Sequence, residues 1–163
     1  MEKVDSLDRS PFNSALETGL RAVMALHASF PRELDIQRLT ALDYLVVRTS
    51  LLDGPEDLHP STPITTPVTQ VRRKAVYAAL DLLMSRELVE RSITDHGIYY
   101  RAGEYSSFFV EALTTSYAQR LLERAKWVAQ YFEEYNETQF DTLMSELLDD
   151  WVAEFQDDFT GSE

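Results

Sequence analysis

The side chains that could do chemistry are few and scattered. His27, His59 and His96 are the three histidines, too far apart in sequence for any standard metal spacing, and the absence of cysteine excludes disulfides and thiolate zinc sites. His59 follows Asp57 closely in LDGPEDLHPSTPITTP, a pairing that could suggest acid–base work. Such work needs a nucleophile, a glycine-rich cradle or a second carboxylate alongside. None accompanies them, so a structural role is expected for both. His27 closes an apolar helical stripe and reads as a core-edge histidine. The expectation is a chain with no catalytic residue, no metal and no cofactor. The remaining chemistry is cationic: Arg72, Arg73 and Lys74 in one run, with Arg91 and Arg101 further on, could touch nucleic-acid phosphates. The first three point roughly 100° apart around a helix, and Asp81 stands in the same polar strip. Any contact through them would be weak.

Those cations belong to the stretch around which the chain is organised, PVTQVRRKAVYAALDLLMSRELVERSITDHGIYYRA, residues 67–102. Pro67 suits a first helical position and Thr66 its cap. Val68, Val71, Ala75, Ala78, Ala79 and Leu82 recur at helical spacing, and Val76, Leu80 and Leu83 widen the apolar sector. That leaves a polar strip of Gln70, Arg73, Lys74, Tyr77 and Asp81, and a helix expected to be mostly buried. A hairpin follows, turning at Asp95 to Gly97, where glycine can take a positive φ. Long helix then short hairpin is the order of a winged helix. Glu87 holds the place between helix and strand where a glycine commonly sits, so a less sharply turned join is expected.

The fold class read from the pattern is mainly α with a small β-hairpin, a winged-helix domain flanked by N- and C-terminal helices. A polar leader covers 1–12, the winged-helix core 13–115 with its wing at about 88–101, a C-terminal helical pair 116–159, and a tail 160–163. Ser14-Ala15-Leu16-Glu17 has capping-box spacing, and Leu16, Leu20, Val23, Met24 and His27 then share a face. Asp35 can cap a second, central core helix through Ile36, Leu39, Leu42, Leu45 and Val46. Residues 53–67 form a long, proline-stiffened loop of the kind that often serves as a contact surface. Tyr105 to Leu113 reads as a short helix, and Thr115-Ser116 can cap another through Leu121, Leu122, Ala125, Val128 and Phe132. Trp127 lies off that stripe and either covers a core edge or meets a partner.

The final helix shows the clearest period, with Phe140, Leu143, Met144, Leu147, Leu148, Trp151, Val152, Phe155 and Phe159 on one face, Thr138 and Asp141 in capping positions and acids opposite. It either packs on its own domain or docks on another chain. The candidate partner interface is Phe140, Leu143, Leu147, Trp151 and Phe155 with Trp127. Its acidic polar face disfavours an anionic membrane. The charge of −13 is uneven: residues 70–101 carry 6 basic and 4 acidic side chains, and 102–163 carry 3 and 14. An acidic body repels DNA, which leaves only a local contact. No apolar leader and no span of about 20 apolar residues is present, so a cytoplasmic protein is expected.

The segments ALDYLVVRTSLLDGPEDLHP (41–60), LLMSRELVER with GIYYRAG, and FVEALTTSYAQRLLERAKWV (109–128) resemble the middle component of bacterial three-component ABC systems, which includes the small subunit of Lamassu-type anti-phage defence. The resemblance covers most of residues 12–130. It implies a non-catalytic accessory subunit that bridges an SMC-like or Rad50-like ATPase and an effector, often a nuclease, with ATP, DNA and cutting chemistry left to the partners. A stand-alone winged-helix transcription regulator is the alternative.

Overall fold

The computed structural model describes residues 15–59 and 68–148, the side chains of 68–70 excepted. Six α-helices, a 3-10 turn at Thr49–Leu52 and one antiparallel hairpin make up the regular structure of the described residues: α1 (Ala15–Ser29), α2 (Ile36–Leu45), α3 (Val68–Ser85), β1 (Val89–Thr94), β2 (Gly97–Ala102), α4 (Ser106–Ala112), α5 (Ser116–Tyr131) and α6 (Glu137–Leu147). The expected class, mainly helical with one small hairpin, is what the chain forms.

Local chemistry accounts for the helix starts. The Asp35 carboxylate accepts from the Arg38 amide at 2.8 Å and caps α2, and the Thr115 hydroxyl accepts from the Ala118 amide at 3.2 Å and caps α5. The cap of α6 is Asn136, not Thr138 or Asp141. Its side chain accepts from the Gln139 amide while the Gln139 side chain accepts from the Asn136 amide, a reciprocal capping box. The proposed caps Ser14 and Thr66, with Pro67, lie outside the described residues, as do the polar leader and 149–163.

The core is built where α1 meets α3 and α5, and α2 meets α3. Residues 39–45 of α2 are buried without a break, as a central helix requires. α1 shares that role and is buried along Arg21 to Leu26, because α2, α3, α4, α5 and β2 all press on it. The single stripe expected of α1 is therefore too narrow, and its first member, Leu16, is 72% exposed at the open end of the helix. α3 is also less buried than its composition suggests. Val76, Ala79, Leu80 and Leu83 enter the core, whereas Val71, Ala78 and Leu82 remain outside on an adjoining stripe. An apolar sector wider than the surface offered by its neighbours must leave one edge in water.

α3 ends in a sharp turn, contrary to expectation. Glu87 adopts the left-handed conformation at φ 61, its amide donates to Met84 O at 3.1 Å, and the Leu88 amide donates to Leu83 O at 3.0 Å. These are the two bonds of a Schellman cap, with glutamate where glycine is usual. Gly103 lies against this turn, and a Cβ there would stand 2.6 Å from Glu87 O. The hairpin pairs Val89 with Ala102 through Thr94 with Gly97, and Gly97 takes φ 133 at the turn, as expected. Leu34 bridges to Tyr100 on the outer side of β2, exchanging two backbone bonds of 2.8 Å.

α6 packs on its own chain. The Phe140 ring meets Phe132 edge-on at 5.0 Å, the Arg38 guanidinium lies over Phe140 at 4.6 Å, and Gln37 donates to Asp141 at 3.1 Å. The regular helix stops at Leu147, and Leu148 is extended and buried. The helix expected to run on to Phe159 therefore stops early, where Glu146 puts negative charge at a C-terminus that the helix dipole already makes negative; the part of that expected helix over 149–159 lies outside the described residues.

Candidate functional site

Two groups of residues stand out, one buried and one exposed. The buried group is centred on Asp43, which α2 places facing α1 and α3. Its Oδ1 accepts from Arg21 Nε at 2.6 Å and its Oδ2 from Arg72 Nη1 at 2.7 Å. Arg21 also donates to Thr18 Oγ1 at 3.2 Å and is only 2% exposed. The Tyr44 ring lies 5.0 Å from the Arg72 guanidinium and 5.5 Å from that of Arg48. One carboxylate so held by two guanidiniums joins α1, α2 and α3 by charge-assisted bonds. At the rim of this cluster buried His59 bonds Tyr117 OH at 2.8 Å, with the rings stacked at 6.2 Å. Burial, followed by the Arg21, Arg72 and Arg48 charges, pushes the His59 imidazole down to about 4. Burial likewise raises the Tyr117 phenol. A neutral histidine against a neutral phenol is a structural bond.

Asp57, the other half of the sequence-level acid–base pair, is turned away to Ser50, accepting from its amide at 2.9 Å and its hydroxyl at 2.8 Å. Residues 57 and 59 are therefore separated in role. Among the described residues no group of three or more His, Cys, Asp or Glu side chains could hold a metal ion. Among them, too, no helix is long and apolar enough to cross a membrane.

The five candidate nucleic-acid cations do not form one surface. Arg72 turns inward to Asp43, and Arg101 pairs with Glu90 across the hairpin at 2.9 Å. Arg73 is half-buried, while Lys74 and Arg91 are exposed. Of the candidate interface residues, Phe140 is inside the core, Leu143 and Leu147 are half-buried against it, and Trp151 and Phe155 lie outside the described residues. Trp127 covers a core edge, the first of its two expected roles: its ring is 5.5 Å from Tyr131 and sits where a Cβ on Gly54 would have to go.

What sequence reading passed over are exposed apolar side chains on the two faces of the hairpin. On one face Ile93 and Ile98 pair across the strands, with Ile93 74% exposed. On the other, a cavity of about 410 Å³ is lined by Phe30, Glu90, Arg101 and Ser107 among others. Phe30 is largely exposed there, as is Phe108, which follows the lining residue Ser107 on α4. A signal existed for the buried cluster, since Asp43 interrupts the apolar run LTALDYLVV and Arg21 interrupts another in α1, and charges so placed are rarely buried unless paired. Searches among curated proteins and among solved structures return no match. A sequence model of the ABC-three component (ABC-3C) system Middle Component 2 matches residues 11–154, most of the chain, and the chain therefore belongs to that family.

Proposed function

We propose that this middle component is a non-catalytic adaptor, bridging an SMC-like or Rad50-like ATPase and a nuclease-type effector in anti-phage or plasmid defence of the Lamassu kind. The observation that carries this reading is the pair of exposed apolar faces on either side of one hairpin, Ile93 with Ile98 on one and Phe30 with Phe108 towards the other. Large apolar side chains standing outside the core at two separate places favour two separate contacts with other chains once the complex forms. Its body is read as a winged helix: α1, the Leu34 bridge, α2, α3, then the two hairpin strands follow in that order. DNA is met chiefly through the complex, because Arg72 and Arg101 already hold carboxylates.

The test is co-purification of the tagged chain with the proteins of its own operon, followed by mass and stoichiometry of what elutes. A stable complex with a large coiled-coil ATPase and a second subunit is expected. Phe30→Ser with Phe108→Ser, or Trp151→Ala with Phe155→Ala, should each lose a partner while the chain stays folded. A lone monomer or homodimer that retains duplex DNA would instead make it a transcription regulator.

A further inference from the structure

The hairpin overhangs the body beneath it. Because Tyr100 gives both backbone groups to Leu34, on the side away from β1, the pair Arg91–Tyr100 belongs to the class that exchanges no bonds across the hairpin, together with Val89–Ala102 and Ile93–Ile98. Side chains of alternate pairs share a face. On this face Val89, Tyr100 and Ala102 are buried at the base, and Ile93 and Ile98 continue the same apolar row past the edge of the core. α3 runs alongside, with Tyr77, Asp81 and Arg91 close enough to Tyr100 to act on its hydroxyl. Tyr77 is itself nearly half exposed. Helical spacing sets Arg73 and Lys74 one turn before Tyr77 and Asp81 one turn after. Among the described residues, the face between α3 and the hairpin thus combines Tyr77, Ile93 and Ile98 with Lys74 and Arg91 beside the acid Asp81, on a chain of net charge −13.

We propose that in the isolated chain this face is covered by the chain's own residues 149–163, and is thereby kept from premature contacts. The segment DDWVAEFQDDFTGSE carries six acidic and no basic side chains together with Trp151, Val152, Phe155 and Phe159, the complement of the face in both charge and apolar anchors. Its starting point is near. Glu33 accepts from Ser92 Oγ at 3.3 Å and Leu34 pairs with Tyr100, while three and four residues later Gln37 bonds Asp141 and Arg38 covers Phe140. The hairpin and the start of α6 are therefore moored to the same short stretch. From Phe140 to Leu148 the chain runs only about 12 Å along the helix, and fifteen further residues can span up to ~50 Å. The proposal is independent of which partners the adaptor joins.

Trp151 reports on it directly. In the full-length Trp127→Phe chain, Trp151 is the one tryptophan left. Its emission is expected at short wavelength, unchanged on dilution, with the mass of a monomer. Ile93→Glu with Ile98→Glu should move it to the wavelength of a water-exposed indole, and Lys74→Glu should move it part of the way. Phe108→Ser, towards the opposite face of the hairpin, should leave it unchanged. Should Trp127→Phe disturb the fold by circular dichroism, the difference spectrum between the natural chain and Trp151→Phe gives the same readout. Emission of an exposed indole from the start, or short-wavelength emission indifferent to all three substitutions at residues 74, 93 and 98, would overturn the proposal. So would a shift that appears only as the mass doubles, which would assign the face to a second copy.

Discussion

The two sides of α3 put neighbouring cations to opposite uses. Arg72 is drawn inward, bonded to Asp43 and laid over Tyr44, whereas Lys74, two residues on, stands in water beside the Tyr77 side. The buried side is specified by geometry: Asp43 meets Arg21 and Arg72 at hydrogen-bond distance, because an uncompensated ion inside the protein costs several kcal/mol. The exposed side is specified only by sign and polarity, since charges in water gain little from any one partner. The buried side holds the fold, and the exposed side is left to contacts with other segments or chains.

The largest way to break this contrast is Asp43→Asn, which leaves Arg21 charged and enclosed. It should cost roughly 3–5 kcal/mol, read as a lower urea midpoint at unchanged slope. Arg21→Met with Asp43→Leu should recover much of that, because Arg72 can turn to water.

Acid should act on the same side. His59 is held near 4 in the fold against about 6.5 when unfolded, so the unfolded chain binds the extra proton first. Stability is then flat above pH 6.5 and falls as pH drops from 6.5 towards 4, by about 1 kcal/mol per pH unit. His59→Gln should flatten that part of a plot of unfolding midpoint against pH.

A smaller gain is expected at the end of the helix. Glu87→Gly relieves a left-handed glutamate while keeping both cap bonds, and should stabilise by ~1 kcal/mol, seen as a higher thermal midpoint. Smallest of all, Lys74→Ala should move stability by no more than about 0.5 kcal/mol in the same urea titration. A large loss there would show that Lys74 belongs with Arg72 in the fold.

Several elements were legible from a few residues at a time. Asp35, Thr115 and Gly97 do what their types suggest, because a cap or a tight turn is decided by atoms within three or four positions. The same locality misled at α6, where Thr138 and Asp141 offered equally good caps and Asn136 took the place with its Gln139 partner. At Glu87 the residue type argued against a left-handed turn. The requirement that β1 leave directly from α3, with Gly103 close beneath, imposed one. Among candidate site residues, Arg72 was read as a nucleic-acid contact and Phe140 as a partner anchor, yet both serve the interior of their own chain.

By itself the sequence determined the mainly helical class, the hairpin, the starts of α2 and α5 and the family resemblance, since these follow from short-range hydrogen bonding, apolar period and local residue identity. Tertiary structure alone decided which apolar stripe of α3 is dry, that Asp43 binds two arginines, and that Ile93 and Ile98 stand clear of the core. Those outcomes depend on which distant surfaces come together and exclude water, and desolvation is a property of the assembled neighbours rather than of any stretch of chain.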